Sequence, residues 1–523
     1  MKKRTASLLI LLICFSFSGT SIEANVLPDL ISSFESTGLC LPGESGSRQE
    51  KISESWMGLY MNGIKVGYSC NLEFSLRRNG KEYRKDVDEI KMRVSRLGGN
   101  PVELVTIQES VCDEDDRPLE CILRIKMSDR ETILKAEVVS DKILFQSGDK
   151  IIKELPVEKE FFLSTPLMKI IKSRGLKPGE KHSFNLLDMT SSSIVNCTFE
   201  VLGREDVLIL GEKMTLWHIR EEIDSIIPIT NEEWIGDDGR IWKSISQTRL
   251  ANWTSIRMNR KKALQVSERG FDIAFSTVIK SNVIIENPQE VQRMTFKLRG
   301  LTPEKIRTFP FDDESQKILK IEEDYALVQT VSQIFHEEEA AHLPLEDEEL
   351  RMFLKPTLYC QSDDPEIQRI SSQILGGERN AWKAAKKIAE WLSHELVSNY
   401  DIGFASAKEV LERREGDCTE YTVLMVALSR AAGIPARAAV GVMYGQGLFA
   451  YHMWPEVYVG RWISLDAKWL AVDKKNGQFY TDATHIKFGQ SILDENIFKE
   501  MAQAIAEVVG QIKLEVVNYD QDR

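Results

Sequence analysis

Three residues in the C-terminal part of this 523-residue sequence have side chains that together could perform nucleophilic catalysis: Cys418, His452 and Asp466. A cysteine thiolate attacks an acyl carbon, a histidine accepts and returns the proton, and a carboxylate orients the histidine ring. A histidine or an aspartate by itself is more often structural, and Cys418 by itself favours neither role, but all three fall in one region of mixed helices and strands. The sequence therefore predicts Cys418 as the nucleophile, His452 as general base and acid, and Asp466 as the orienting residue.

The position of Cys418 at a helix start favours a chemical role. Gly416 and Asp417 precede it, and residues 423–432 are apolar nearly all round, which predicts a buried central helix. A helix N-terminus favours thiolate over thiol, and its N–H groups could bind the oxyanion formed on acyl attack. The alternative is an inert buried cysteine, which we would expect in the middle of a helix.

Metal binding through Cys418 and His452 is the alternative chemistry. Their separation of 34 positions and the absence of a Cys-x-x-Cys motif do not match the spacing of zinc ligands. Asp363 and Asp364 precede Pro365 and indicate a helix start rather than a calcium loop. We therefore predict no metal and no cofactor.

Helices and strands predicted around these residues could bring them together. Asp364, Asn380 and Ser406 each precede a stretch with helical periodicity, and Gly433 to Pro435 end the Cys418 helix. Strands are predicted at 436–443, 451–459 and 461–465. An antiparallel hairpin of the last two would place Asp466 beside His452.

The N-terminal half has a different pattern. Residues 50–283 alternate with period two between turn residues such as Asn62-Gly63 and Gly236 to Gly239, which predicts a β-rich half-barrel or sandwich. Residues 284–355 are predicted to be a transitional β and linker region, and residues 496–523 a C-terminal helical tail.

The first 24 residues are predicted to be a signal peptide. A basic start, an apolar stretch over 6–17 and a small-residue end match that pattern, and no later segment is long and apolar enough to cross a membrane. Cys14 suggests a lipoprotein form, which bulky Ile13 makes less favoured. The mature protein is expected to be periplasmic or extracellular without a transmembrane anchor. A net charge of −13 without a basic stripe argues against nucleic acid as a partner.

Four motif blocks resemble one family. They are Gly416-Asp417-Cys418-Thr419-Glu420, Gly433-Ile434-Pro435-Ala436-Arg437, His452-Met453-Trp454 and Leu465-Asp466. In this order they resemble the bacterial transglutaminase-like domains of the papain-like cysteine peptidase superfamily. The resemblance implies an α+β catalytic domain over 356–495, with Cys418 on a central helix and His452 and Asp466 on an antiparallel sheet. The stretch 56–68 also resembles the β-rich domain that often precedes such domains in exported proteins.

The resemblance implies a first chemical step but leaves the second open. Cys418 would attack an amide, release an amine and form a thioester, which water or an amine then resolves. We expect hydrolysis more than transamidation, on a peptide or protein amide that could belong to the cell envelope. Trp382, Trp391 and Tyr400 are candidates by residue type for a second oxyanion donor. The alternative function is a non-catalytic interaction or scaffold protein that retains the fold.

Overall fold

The computed structural model divides the chain into two compact units, Met1–Asp272 and Ile273–Arg523. It describes residues 48–520 except 79–80, 96–100, 128–129, 148–149, 165, 167–169, 172–174, 226–227, 249–250, 266–270, 273–277, 346, 400–404, 469–470, 473–478 and 495–511. The predicted signal peptide and Tyr400 lie outside the described residues. Within the described part of the chain, no helix has both the length and the apolar character needed to cross a membrane.

One antiparallel sheet dominates the first unit and curls into a half-barrel. Two meanders meet where β1 pairs with β14, giving the order β8-β7-β6-β5-β4-β3-β2-β1-β14-β13-β12-β11-β10-β9. In chain order the elements are β1 Arg48–Met61, β2 Ile64–Arg78, β3 Lys81–Ser95, β4 Val102–Cys112, β5 Pro118–Met127, β6 Arg130–Val139, β7 Lys142–Ser147, β8 Lys150–Pro156, β9 Lys181–Asp188, β10 Ser193–Ile209, β11 Glu212–Ile223, β12 Ile229–Ile235, β13 Ile241–Gln247, β14 Asn252–Met258, α1 Arg260–Leu264 and β15 Phe271–Asp272.

Both hairpins predicted for this unit are confirmed. Asn62 and Gly63 have φ values of 49° and 78°, and Met61 pairs with Ile64 across the turn. Positive φ at both central positions is what a two-residue hairpin turn needs, and Asn-Gly tolerates it best. The turn from Gly236 to Arg240 joins β12 to β13 through a longer loop, in which Gly239 has a φ of 74°.

The second unit combines helices with antiparallel sheets, which confirms the α+β expectation. Its elements are β16 Ile279–Lys280, β17 Arg293–Arg299, α2 Pro303–Ile306, β18 Gln316–Ile321, β19 Tyr325–Val331, α3 Pro365–Leu375, α4 Ala381–Glu395, β20 Val397–Ser398, α5 Ala407–Arg413, β21 Glu415–Gly416, α6 Cys418–Ala431, β22 Ala436–Gly445, β23 Leu448–Tyr458, β24 Trp462–Ser464, β25 Ala471–Val472, β26 Phe479–Tyr480, β27 Ile486–Ser491 and β28 Lys513–Asp520. The main sheet has the order β16-β23-β22-β27, with β24 on β23, and α6 packs on β22 and β23.

Two expectations about the second unit need correction. The described part of the predicted helical tail, β28, is a strand, because Leu514 and Val516 alternate with more exposed neighbours and pair with β17. The transitional region supplies β17, β18 and β19, which form a four-stranded sheet with β28. The second correction concerns the end of the predicted β-rich domain. Its strand β16 pairs with β23 and therefore belongs to the second unit.

The central helix α6 is as buried as its sequence predicts. All of its residues from Cys418 to Arg430 are buried. At its far end the Arg430 guanidinium donates hydrogen bonds to the backbone oxygens of Ala436, Lys355 and Ile492, at 2.7–3.0 Å. A buried cation there complements the negative end of the helix dipole and joins the helix to β22.

Candidate active site

A double cap fixes the start of the helix that carries Cys418. The Asp417 carboxylate accepts a hydrogen bond from the N–H of Thr419 at 2.8 Å and another from the N–H of Glu420, whose own carboxylate accepts from the N–H of Asp417 at 3.0 Å. This reciprocal arrangement is a capping box. A Cβ at position 416 would lie 2.2 Å from the Cβ of Glu420, so only glycine fits before the cap.

Asp417 also limits where an oxyanion could bind. The cap uses the N–H groups of Thr419 and Glu420, and the N–H of Tyr421 donates to the Asp417 carbonyl at 3.1 Å. The N–H groups of Thr419, Glu420 and Tyr421, which were predicted to be available to an oxyanion, are therefore already hydrogen-bonded within the helix start.

Thr422, one turn after Cys418, links the helix to the strand that carries the histidine. Its hydroxyl lies 2.7 Å from the carbonyl oxygen of Cys418 and 3.1 Å from that of Met453. Met453 is next to His452 on β23. The Cys418 side chain, 7% exposed, is therefore held in a fixed register relative to His452.

The structure brings the three predicted residues together. His452 lies on β23, and Asp466 follows β24, which pairs with β23 as an antiparallel hairpin. Nε2 of His452 is 2.5 Å from Oδ2 of Asp466, and both side chains are buried. The other carboxylate oxygen of Asp466 accepts the backbone N–H of Lys468 at 3.0 Å. Because Nε2 of His452 is hydrogen-bonded to Asp466, the hydrogen bond between His452 and the sulfur of Cys418 uses Nδ1.

The charges around His452 favour its protonated form. Burial by itself lowers the pKa of His452, but the negative charges of Asp466 and Cys418, with a hydrogen bond to each, raise it to about 10. Burial works against the charged form of Asp466 as well, yet the neighbouring His452 holds the pKa of that carboxyl well below its usual range. An imidazolium beside the sulfur and a helix N-terminus beneath it both favour a thiolate.

Two neighbouring residues, Trp454 and His485, were not predicted as part of the site. Trp454 stacks on His452 with ring centroids 5.9 Å apart, while His485, just before β27, directs Nε2 toward Oδ2 of Asp466 at 3.4 Å. Trp454 was within reach of sequence reasoning, because residues two apart on a strand share a face. The segment before His485 has no periodicity that would have pointed to it.

Only one group of side chains among the described residues has the proximity expected of metal ligands. His452, Asp466 and His485 have ligand atoms within 4.8 Å of one another. Two atoms bound to one tetrahedral zinc at about 2.1 Å are roughly 3.4 Å apart. The 2.5 Å contact between His452 and Asp466 is shorter than that, so these two atoms are hydrogen-bonded directly to each other rather than spaced as two ligands of one zinc ion.

The oxyanion candidates chosen by residue type receive little support. The C-terminal end of α4 is the end that lies near Cys418, because the hydroxyl of Tyr421 donates to the carbonyl of Leu396 there at 2.6 Å. Trp382 lies at the opposite end of that helix, about 20 Å away at 1.5 Å per residue, so it is too distant. Trp391 lies nearer to the C-terminal end of α4, and the centroid of its ring is 4.5 Å from the guanidinium carbon of Arg414.

The fold and the site together define an α+β domain in which a cysteine at a helix start lies close to a histidine and an aspartate carried by a sheet. A sequence model of the transglutaminase-like superfamily matches residues 368–467, which include all three side chains. These residues form a transglutaminase-like domain.

Three proteins of known sequence or structure are distantly similar to this chain. An uncharacterised protein from Haemophilus influenzae is 30% identical over 102 residues, which is 18% of this chain and 27% of that protein. A proposed cysteine protease from Cytophaga hutchinsonii is 20% identical, with 44% of this chain and 89% of that chain covered and a TM-score of 0.30. A β-barrel-like protein of unknown function from Brucella abortus is 10% identical, with 39% and 95% covered and a TM-score of 0.30.

Proposed function

We propose that this protein is an exported thiol hydrolase that attacks an amide bond through Cys418, His452 and Asp466. The observation that carries the proposal is the buried 2.5 Å contact between His452 and Asp466, on the sheet that faces the N-terminus of the Cys418 helix. A decayed site retained only for its fold would have no need to keep a cysteine, a histidine and a carboxylate in this register. This argument favours the enzyme over the alternative, a scaffold protein.

The chemical steps follow from the positions of the three side chains. The thiolate of Cys418 attacks the amide carbon, and the positive end of the dipole of its helix stabilises the developing oxyanion. The imidazolium of His452 gives its proton to the departing amine, which leaves a thioester on the sulfur. His452 then takes a proton from water, the resulting hydroxide attacks the thioester, and the acid is released as the thiolate re-forms.

The substrate class is a peptide or protein amide outside the cytosol. The proposed signal peptide over 1–24 would direct the chain to the periplasm or beyond, where envelope peptides are available as substrates. Cell fractionation followed by N-terminal sequencing of the mature protein tests this part. A chain that stays in the cytosol with Met1 intact would contradict it.

The reaction itself is tested with a library of glutamine-containing peptides incubated with the mature protein, with and without a labelled primary amine. Side-chain hydrolysis, backbone cleavage and amine incorporation give different masses, so one mass-spectrometric experiment separates them. We expect hydrolysis, with the amine little incorporated.

Cys418→Ala is the matched control, because it removes the sulfur and keeps a residue that suits a helix. Product formation by wild type that this variant lacks supports the proposal. Equal product from both proteins rejects it. A cellular phenotype that Cys418→Ala leaves unchanged, with no product from wild type, would favour the scaffold function instead.

A further inference from the structure

The candidate active site continues beyond Asp466 to a second histidine. Nε2 of His485 is 3.4 Å from Oδ2 of Asp466, the same oxygen that contacts His452. Nδ1 of His485 is 3.2 Å from the backbone carbonyl oxygen of Asp482 and 3.3 Å from its carboxylate Oδ1. All of these side chains are buried. Cys418, His452, Asp466, His485 and Asp482 therefore form one continuous chain of polar contacts.

Both ring nitrogens of His485 face hydrogen-bond acceptors. A carbonyl oxygen and a carboxylate lie on one side and a carboxylate on the other, and Oδ1 of Asp482 also accepts the N–H and hydroxyl of Thr484, at 2.8 and 2.5 Å. A neutral imidazole has one N–H and would direct a lone pair at one of these oxygens. The imidazolium, with two N–H donors, satisfies both sides.

We propose that His485 is a cationic positioning residue, kept protonated by Asp482, which holds the Asp466 carboxylate in place for His452. This inference rests on the proposed function, because it concerns the same thiol site. His485 does not touch the reacting atoms and acts through Asp466. The charges along this series of polar contacts then alternate in sign, from the thiolate of Cys418 to the carboxylate of Asp482.

The surroundings of His485 support this charge state. Burial works against protonation, but the Asp482 charge and hydrogen bonds to Asp466 and Asp482 raise the pKa of His485. The opposing group is the imidazolium of His452, whose ring centroid lies 5.4 Å away. Trp454, the remaining ring against His485, is not titratable.

Local packing keeps the two histidine-bearing segments close. Gly441 on β22 lies opposite His452 on one side and Lys487 of β27 on the other. A Cβ at Gly441 would lie 2.0 Å from the carbonyl oxygen of Ile486, which follows His485 directly. The glycine therefore allows the backbone beside His485 to approach the histidine strand.

Two variants of the full-length protein separate a positioning role from a merely structural one. His485→Gln keeps a donor toward Asp466 but carries no charge. Asp482→Asn keeps an oxygen for Thr484 but removes the charge that holds the proton on His485, whose pKa should then fall toward its ordinary value of about 6.5. The measured quantity is the rate of iodoacetamide alkylation at Cys418, read by peptide mass spectrometry.

His485→Gln should alkylate about tenfold more slowly than wild type at every pH, the usual cost of weakening a hydrogen bond between charged groups. The alkylation rate of Asp482→Asn should equal that of wild type near pH 5.5, where His485 is protonated. Near pH 8.5, above the ordinary histidine pKa of about 6.5, it should equal that of His485→Gln. A ratio of Asp482→Asn to wild type that is the same at both pH values would overturn the proposal. So would an unchanged rate in His485→Gln.

Nuclear magnetic resonance of protein labelled with ¹⁵N-histidine tests the charge of His485 directly. Long-range proton–nitrogen spectra should show both ring nitrogens of His485 protonated near pH 8, well above the ordinary histidine pKa of about 6.5. The resonance is assigned by its absence in His485→Gln. This measurement needs no thiol reactivity. A neutral His485 near pH 8 therefore rejects the inference alone, whereas an unreactive Cys418 in wild type rejects the proposed function alone.

Discussion

Replacement of Asp466 by asparagine should sharply reduce the reactivity of Cys418. Asparagine can keep the hydrogen-bond contacts but lacks the negative charge that favours protonated His452. The rise of the His452 pKa from 6.5 to about 10 corresponds to roughly 5 kcal/mol, shared between Asp466 and Cys418. If Asp466 supplies about half, the equilibrium constant between the thiolate–imidazolium pair and the neutral thiol and imidazole falls roughly 30- to 150-fold.

The assay is iodoacetamide alkylation near pH 7, quantified at the Cys418 peptide. Cys360 is an internal control in the same unit, because it is buried and desolvation raises the pKa of its thiol to about 11. Its slow labelling should be the same in wild type and Asp466→Asn. An alkylation rate at Cys418 within about twofold of wild type would refute the reasoning, because it would imply less than about 0.5 kcal/mol of electrostatic support from Asp466.

Three further changes test the structure around the site. Thr422→Val should slow Cys418 alkylation severalfold and lower the unfolding free energy by about 1 kcal/mol, measured by urea denaturation, because the helix loses its bond to the histidine strand; unchanged values would contradict this. Gly441→Ala should destabilise by about 1–3 kcal/mol, whereas Gly445→Ala on the same strand, with nothing within 4 Å of its Cβ, should not; equal melting temperatures would reject the packing argument. Unfolding free energy should decrease as pH rises from about 8.5, the ordinary pKa of a cysteine thiol, to about 10, because the folded thiolate–imidazolium pair keeps one proton there and the unfolded Cys418 and His452 keep none; His452→Gln should flatten that decrease, and an identical pH profile would count against it.

Local sequence patterns predicted the parts of the fold that local physics determines. Asn62-Gly63 marked its hairpin because few residue pairs accept positive φ twice. The apolar run after Cys418 marked the buried helix because every face of that helix is covered. The strand Lys513–Asp520 was wrongly expected to be helical, since its pairing with Arg293–Arg299 is a long-range contact that its own residues do not reveal.

The residues of the candidate site also fall into two groups, those positioned by local sequence and those positioned by long-range strand pairing. Cys418, His452 and Asp466 could be selected because a helix start and a hairpin constrain them locally. His485 could not, because it reaches Asp466 only after β27 has paired with β22. Its chemical partner, Asp482, is three residues away and resembles an ordinary turn residue in the sequence.

The burial of Cys418 has a consequence for the form of the substrate. With 7% of this residue exposed, a flat protein surface cannot bring a backbone amide to the sulfur. A substrate of the proposed hydrolase would have to present a slender group, such as a single extended side chain or a stretch of unfolded peptide. The proposed enzyme would therefore select substrates by their local shape before it distinguishes them by sequence, and a folded protein would become a substrate only where a segment protrudes or unwinds.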